Sequence, residues 1–207
     1  MTVNTQPGSQ AQSQNSQPLP ADEQASTWLF GYGSLIWKPE LPFIRAHPAR
    51  VDGYVRRFWQ GSEDHRGTPE SPGRVVTLVP DYQGQCFGVA YLVSNIEIEQ
   101  TFAQLDHREK NGYTRLTLDL NLGSDAVLTD EKVVAGITYI ADEYNEAYLG
   151  QAPIAQIAKE IFHSVGPSGT NTEYLLELAQ ALRDRVIDDP HVFALETEIR
   201  TLLNESS

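Results

Sequence analysis

The alternation of apolar and polar residues predicts a series of short β-strands in the first two thirds of the chain. Trp28-Leu29-Phe30 is an apolar run that stops at Gly31, as a buried strand entering a tight loop would. Further runs are rich in β-branched or aromatic residues and are bounded by Gly, Pro, Asp or Asn. These runs are Tyr54–Gln60, Arg74–Val79, Cys86–Val93, Tyr113–Leu120 and Val133–Ala141. The pattern therefore predicts six short strands.

Helical periodicity is concentrated near the C-terminus. Apolar residues recur at three- and four-residue spacing in Pro153–Ser164, Thr172–Arg185 and Pro190–Leu203, with Asn171 as a predicted N-cap. An earlier helix is predicted from Ser94, where Glu97 completes a capping box, to about Lys110. Strands first and helices mostly last, without regular β-α-β alternation, predict an α+β domain whose strands could close as a small barrel.

One carboxylate interrupts the apolar stripe of that earlier helix. Ile98, Phe102 and Leu105 share a face, and Glu109 is the next position on it. Burial and the negative end of the helix dipole would both raise the pKa of Glu109 and make it a good general base. The alternative is a surface glutamate that pairs with Arg115 or solvent, and the pattern alone favours this alternative.

A glycine loop and a basic segment are candidates for binding an anion. Gly31-Tyr32-Gly33-Ser34-Leu35 follows a predicted strand and offers unobstructed backbone N–H groups, although an ordinary turn fits it equally well. It is not a dinucleotide fingerprint, because Ile36 stands where a third glycine would be required. Positive charge nearby comes from Arg56, Arg57, His65, Arg66 and Arg74, each of which could equally be solvated or salt-bridged.

Amino-acid composition restricts the classes of ligand and the cellular location that we expect. The 207 residues carry a net charge of −13, which disfavours nucleic acid and anionic membranes, and the acidic excess lies mainly after residue 141, so an anionic ligand is expected in the N-terminal half. The single cysteine, Cys86, is expected to pack in a strand, and no Cys/His spacing predicts a metal site. Residues 1–27 are rich in Gln, Ser and Pro and are predicted to be a disordered tail. The chain contains no apolar run of membrane-spanning length and no targeting segment, so a cytoplasmic location is expected.

Several ordered segments resemble one enzyme family. Trp28–Trp37, with the sequence WLFGYGSLIW, is similar to the opening of the ChaC-like, glutathione-specific γ-glutamylcyclotransferases. Other matching segments follow in the family's order over about residues 28–200: Arg56–Gly61, Asp64–Gly67, Pro72–Leu78, Gly88–Tyr91, Leu105–Tyr113, Tyr148–Gly150, Ala152–Pro153, Gly166–Gly169 and Asn171–Leu175. No single segment carries the resemblance, which rests on their number and order.

The resemblance implies a fold and a reaction. It implies one domain over residues 28–207, a small six-stranded mixed β-barrel with flanking helices, and no cofactor or metal. The implied activity is cleavage of glutathione to 5-oxoproline and Cys-Gly, with Glu109 as catalytic acid/base and Tyr32, Gly33, Ser34, Leu35 and Tyr148 at the substrate. Two alternatives remain: a cyclotransferase for γ-glutamyl amino acids or γ-glutamyl-amines, and a non-catalytic binding or interaction protein.

Overall fold

A closed five-stranded barrel forms the centre of the fold. The computed structural model describes residues 25–108, 113–123 and 132–206. The barrel strands are β1 (Ser26–Gly31), β2 (Arg45–Ser62), β3 (Gly73–Ser94), β4 (Thr114–Leu122) and β5 (Lys132–Ile140). Their order around the barrel is β1-β3-β2-β4-β5; all neighbours are antiparallel except β5 and β1, which pair in parallel and close the sheet.

The mixed barrel is confirmed, but the described residues contribute five strands to it rather than the predicted six. The two runs predicted on either side of Pro80 belong to one strand, β3, which is 22 residues long. Asp52 pairs with Gln85 and Tyr54 with Pro80, so residues 81–84 bulge outwards opposite Gly53 alone. Gly53 has φ +81°, a conformation that glycine adopts without strain. The turn signals were therefore real, but they mark a bulge within a continuous strand pair.

Four α-helices accompany the barrel in the described part of the chain. They are α1 (Asn95–Arg108), α2 (Ile154–His163), α3 (Asn171–Asp184) and α4 (Pro190–Glu205), and a two-stranded ribbon, β6 (Val165–Gly166) and β7 (Gly169–Thr170), joins α2 to α3. The prediction of Asn171 as the N-cap of α3 is wrong by one residue. Thr170 is the cap, since its hydroxyl accepts a hydrogen bond from the Glu173 N–H at 3.1 Å. The buried Asn171 side chain instead joins the backbone N–H and C=O of Arg74.

Packing of the helices on the barrel follows their apolar stripes. Ile98, Phe102 and Leu105 of α1 are each only 6% exposed, which confirms the predicted inward face. Helices α2, α3 and α4 pack on one another through fully buried aliphatic residues such as Ile161, Leu178 and Leu195. Burying each of these side chains contributes about 1.5–3 kcal/mol, so this interface holds the C-terminal helices as one layer. No helix in the described ranges is long and apolar enough to cross a membrane.

Candidate active site

A cavity of about 310 Å³ opens where β1 ends, between the barrel and helices α1 and α3. Its lining comes from the glycine loop, the ends of β2 and β5, the start of β3, and these two helices. The lining residues that matter below are Tyr32, Gly33, Ser34, Leu35, Lys38, His65, Arg66, Leu105, Tyr113, Tyr139, Ser168 and Tyr174. The structure thus brings four of the five predicted substrate-binding residues, Tyr32 to Leu35, to one cavity.

The loop end of the cavity, Tyr32–Leu35, is held by side chains that donate to its carbonyl groups from outside. Arg56 Nε donates to the Tyr32 carbonyl at 2.6 Å, and the Tyr91 hydroxyl donates to the Leu35 carbonyl at 2.6 Å. Burial raises the pKa of Tyr91 to about 12, so this hydroxyl remains a neutral donor at physiological pH. These contacts come from β2 and β3, which lie far from the loop in the sequence.

The remaining carbonyls of this segment are also satisfied. A short 3-10 helix, Ser34–Ile36, lets the Gly33 carbonyl accept from Ile36 N–H and the Ser34 carbonyl accept from Trp37 and Lys38 N–H at 2.8–3.2 Å. In a trans peptide the C=O of one residue and the N–H of the next point in opposite directions. Because the carbonyls of residues 32–34 are turned towards protein donors, the N–H groups of residues 33–35 are turned the other way.

The Arg56 side chain connects the loop end of the cavity to β3 and to the start of α4. Its side chain is fully buried, and it donates to the Phe87 carbonyl at 2.5 Å as well as to Tyr32. Its Nη1 forms an ion pair with Asp189 at 2.7 Å, while the other oxygen of Asp189 caps α4 by accepting from Val192 N–H. Arg56 therefore couples the loop to the C-terminal helix, and it does not line the cavity as the prediction of a ligand-binding charge would require.

His191, in the first turn of α4, belongs to the same buried support. Its Nε2 accepts a hydrogen bond from the Phe58 N–H at 3.1 Å, so this nitrogen must be unprotonated. Burial lowers the pKa of His191 to about 4, and nearby Arg57, Arg56 and Arg74 act in the same direction against Asp189. The imidazole is thus neutral at physiological pH.

Arg74 and Cys86 also serve the fold rather than the cavity. The buried Arg74 side chain pairs with Glu160 and donates to the carbonyls of Phe58 and Gly150. Cys86 is buried in β3, and burial raises the pKa of its thiol to about 11. Among the described residues, no three His, Cys, Asp or Glu side chains are grouped so that they could hold a metal ion.

The Arg66 end of the cavity consists of His65, Arg66 and Ser168. Arg66 Nη1 donates to the Thr170 carbonyl at 3.0 Å and to Glu173 at 2.8 Å. The guanidinium also lies 5.6 Å from the centre of the Tyr174 ring. His65 Nδ1 and Ser168 Oγ are 3.1 Å apart. Of the five basic residues predicted from the sequence, His65 and Arg66 are the two that line the cavity.

Glu109 lies outside the described residues, so its position is not part of the structure described here. Two residues that flank Glu109 in the sequence do line the cavity: Leu105 in α1 precedes it, and Tyr113 before β4 follows it at the same sequence separation. Tyr139 is close by, since its ring contacts Phe102 of α1 and its carbonyl accepts from the Tyr32 hydroxyl at 2.7 Å. Leu105 and Tyr113 are thus the described residues of this segment that line the cavity.

The fifth predicted substrate-binding residue, Tyr148, is placed differently. It lies in the loop after β5, where its backbone is bridged to Gln60 and its N–H donates to the Asn145 carbonyl. It is absent from the residues that line the cavity, although the adjacent Ala147 carbonyl accepts from Gly61, which does line it. A contact between Tyr148 and substrate remains a prediction.

Two aromatic residues of the cavity were not found from the sequence. Tyr139 lies in β5 and Tyr174 in α3, where the apolar patterns assign both to the core. Both are indeed mostly buried, at 8% and 7% exposure, with one face at the cavity. Local pattern cannot distinguish such residues from core aromatics, because the distinction depends on which elements meet.

Comparison with known proteins agrees with the motifs. Residues 27–202 match the model of the family described as ChaC-like protein. The chain is 44% identical to "Gamma-glutamylcyclotransferase 2-3" of Arabidopsis thaliana, over 86% of this chain and 91% of that protein. It is 37% identical to the human "Glutathione-specific gamma-glutamylcyclotransferase 1", over 97% and 90% of the two chains.

A solved structure supports the same assignment. The crystal structure of the yeast γ-glutamyl cyclotransferase specific to glutathione superposes with a TM-score of 0.80 at 32% identity, covering 86% of this chain and 96% of that one. A family match across most of the chain, relatives of nearly the same length and a shared fold lead to one conclusion: the chain belongs to the ChaC-like family.

Proposed function

We propose that this protein is a γ-glutamylcyclotransferase that cleaves glutathione to 5-oxoproline and Cys-Gly, with Glu109 as general acid/base. The cavity at the Tyr32–Leu35 loop carries the proposal, because a fixed row of backbone N–H groups lies beside the ends of the segment that contains Glu109. Relatives named as glutathione-specific γ-glutamylcyclotransferases, from human to yeast, support the choice of substrate.

The proposed reaction needs no nucleophile from the protein. The α-amine of the γ-glutamyl group attacks its own γ-carbonyl carbon, and a new C–N bond closes the five-membered lactam. The C–N bond to cysteine then breaks, and its electron pair stays on the cysteine nitrogen. One proton leaves the attacking amine and one joins the leaving amine, so a single carboxyl group that accepts and then returns a proton completes the balance.

The cavity contributes geometry to this reaction. A flexible γ-glutamyl chain must be bent so that its amine reaches its own carbonyl, and holding such a near-attack conformer removes much of the entropic barrier. The N–H groups of residues 33–35 bind a negatively charged oxygen of the γ-glutamyl group, and their fixed carbonyl partners keep them oriented during the reaction. Glu109, carried between Leu105 and Tyr113, moves the proton.

The proposal is tested by incubating the full chain with glutathione, γ-glutamyl-alanine and a γ-glutamyl-amine, and quantifying 5-oxoproline and the released amine from each. We expect equal amounts of 5-oxoproline and Cys-Gly from glutathione, at a rate well above those of the other two compounds. Running the reaction in H₂¹⁸O adds a check, since intramolecular attack leaves the lactam free of ¹⁸O.

Other outcomes would reassign the activity. Faster cyclisation of γ-glutamyl-alanine or the γ-glutamyl-amine would make this chain a cyclotransferase for those substrates. Release of glutamate carrying one ¹⁸O would indicate hydrolysis. No turnover of any of the three would favour the binding or interaction protein.

A further inference from the structure

Arg66 lines the cavity, and the proposed reaction gives it no role. Its side chain is 14% exposed, and one of its nitrogens, Nη1, is taken by Thr170 and Glu173. Within the described part of the chain, Nε and Nη2 have no hydrogen-bond acceptor. A guanidinium that is fixed through one nitrogen and lines a cavity offers its remaining N–H groups to a ligand.

The backbone around Arg66 is packed tightly enough to fix where these donors lie. A Cβ added to Gly67 would lie 2.0 Å from the Gly73 nitrogen, and one added to Gly166 would lie 2.2 Å from the His65 carbonyl oxygen. The β6-β7 ribbon is tied to the same segment, because Ser168 N–H donates to the His65 carbonyl at 2.9 Å. Arg66 is therefore held by close backbone contact and not on a free surface loop.

Tyr174 lies close to both the loop end and Arg66. A Cβ built at Gly33 would lie 3.1 Å from the Tyr174 hydroxyl, and the Arg66 guanidinium lies 5.6 Å from the centre of the same ring. One tyrosine side chain thus separates the loop from the guanidinium. Two residues of extended peptide span about 7 Å, which is the reach of Cys-Gly from the scissile carbonyl to its carboxylate.

The order along the cavity gives the ligand a direction. The Tyr32 hydroxyl of the loop donates to the Tyr139 carbonyl, and on the Gly33 side the Tyr174 ring lies between the loop and the Arg66 guanidinium. A substrate with its γ-glutamyl group at the loop end can extend its leaving group past Tyr174 to Arg66.

From these contacts we propose that Arg66 binds the terminal carboxylate of the leaving peptide, and thereby sets a preference for glutathione over γ-glutamyl amides and amines that lack this charge. The inference rests on the proposed function, whose substrate class it specifies. Recognition comes from directed N–H groups and not from an excess of positive charge at this end, because Glu173 pairs with Arg66, Glu40 pairs with Lys38 and Asp64 lies 3.8 Å from His65. Among the described residues that line the cavity, Lys38 is the other lysine or arginine; its side chain is 63% exposed and paired with Glu40.

The test compares glutathione with its C-terminal amide, which differs only in the charge of the glycine carboxylate. Dissociation constants for both compounds are measured by calorimetry on the Glu109→Gln chain, and kcat and KM on the chain with Glu109 intact. We expect the carboxylate to improve binding by about 10- to 100-fold, as charge-assisted hydrogen bonds do. Arg66→Gln should abolish most of this difference, because it weakens the binding of glutathione much more than that of the amide, whose carbonyl makes only a neutral hydrogen bond.

The effect should appear in KM. A carboxylate remote from the reacting carbonyl is bound alike in the ground state and the transition state, so kcat for glutathione should stay within about threefold in Arg66→Gln. Arg66→Lys should keep part of the preference, because it retains the charge and loses the planar pair of donors. It also provides a milder variant if Arg66→Gln fails to fold.

Glu173→Gln is the matched control, since it breaks the same ion pair but keeps the guanidinium. It should retain or increase the preference for the carboxylate. The inference is overturned if the unmodified chain does not distinguish the two compounds, if Arg66→Gln distinguishes them as strongly, if Glu173→Gln reproduces its loss, or if Lys38→Gln alone removes the preference. Discrimination in binding without any 5-oxoproline would instead sustain the subsite and refute the proposed reaction.

Discussion

The two ends of the cavity differ in the groups that they offer to a ligand and in the contacts that hold them in place. In the proposed binding mode the loop end presents backbone N–H groups to the ligand, while side chains from other strands, Arg56 and Tyr91, donate to loop carbonyls. At the Arg66 end the ligand-facing group is a side chain, and the backbone is held by contact between glycines and carbonyls. Side-chain donors to carbonyls hold the loop end, whereas close backbone contacts together with hydrogen bonds to His65 and Arg66 hold the other end.

This difference gives two arginines different roles, one at each end of the cavity. Arg56 and Arg66 are both basic and only ten residues apart, yet one is fully buried and supports the loop while the other lines the cavity. Substitutions at the loop end should affect every γ-glutamyl compound alike, because they disturb the group that all of them share. Substitutions at the Arg66 end should separate substrates by their leaving group.

Replacing Arg56 should have the largest effect on the fold and should not discriminate between substrates. Arg56→Met removes the ion-pair partner of Asp189 and the guanidinium donors to the carbonyls of Tyr32 and Phe87. Breaking a buried ion pair by removing one partner costs about 3–5 kcal/mol, so a loss of that order in unfolding free energy is expected from urea titration. Turnover of glutathione and of its amide should fall by the same factor.

Asp189→Asn serves as the milder companion to this change. Asparagine has a single acceptor oxygen, so it can cap α4 or accept from Arg56 but cannot keep both contacts of Asp189 as they stand. The loss of stability should still be smaller than in Arg56→Met, because Arg56 keeps its bonds to the carbonyls of Tyr32 and Phe87, and the equal effect on the two compounds should persist. If Arg56→Met or Asp189→Asn changed the preference between glutathione and its amide, the two ends would not be independent.

Acid should weaken the support of the loop end through His191. The pKa of His191 is lowered by burial to about 4 in the fold, against about 6.5 in an unfolded chain. Between pH 4 and 6.5 the imidazole binds a proton in the unfolded chain but not in the fold. The contribution of the neutral His191 to folding stability is therefore complete above pH 6.5 and is lost as the pH falls towards 4. The loss from this group reaches about 3 kcal/mol at the lower end.

The measurement is the unfolding free energy from pH 7.5 to 4 for the natural chain and for His191→Gln. The variant should show a shallower fall with decreasing pH, although it starts from a lower stability. His163→Gln, which changes an exposed histidine at the end of α2, should follow the natural chain. Parallel curves for the natural chain and His191→Gln would show that burial of this imidazole does not govern the acid response.

Much of the fold could be predicted from the sequence because local patterns report burial. The stripe of Ile98, Phe102 and Leu105 gave the inward face of α1, and the late apolar repeats gave the three C-terminal helices. The strand count failed at Pro80–Gly84, where turn residues form a bulge that pairing with β2 absorbs. The turn residues alone do not show that β3 pairs with β2 both before and after this bulge.

The site was less accessible to prediction, for a similar reason. The glycine loop was found from its composition, whereas its support by Arg56 depends on how β2 packs beneath it. Five basic residues looked equivalent in the sequence, and the fold buries Arg56 and Arg74 and leaves His65 and Arg66 at the cavity. Tyr139 and Tyr174 carry no signal of a cavity, since both fit the pattern of core aromatics.

The most direct test of the central claim is the kcat for conversion of glutathione to 5-oxoproline by the natural chain and by Glu109→Gln. Glu99→Gln, at an exposed position of the same helix, is the matched control. General acid–base catalysis is worth about 10²–10⁴-fold, so Glu109→Gln should lose at least about 100-fold in kcat while binding glutathione normally, and Glu99→Gln should keep its activity. Near-natural turnover by a folded Glu109→Gln protein would contradict the account.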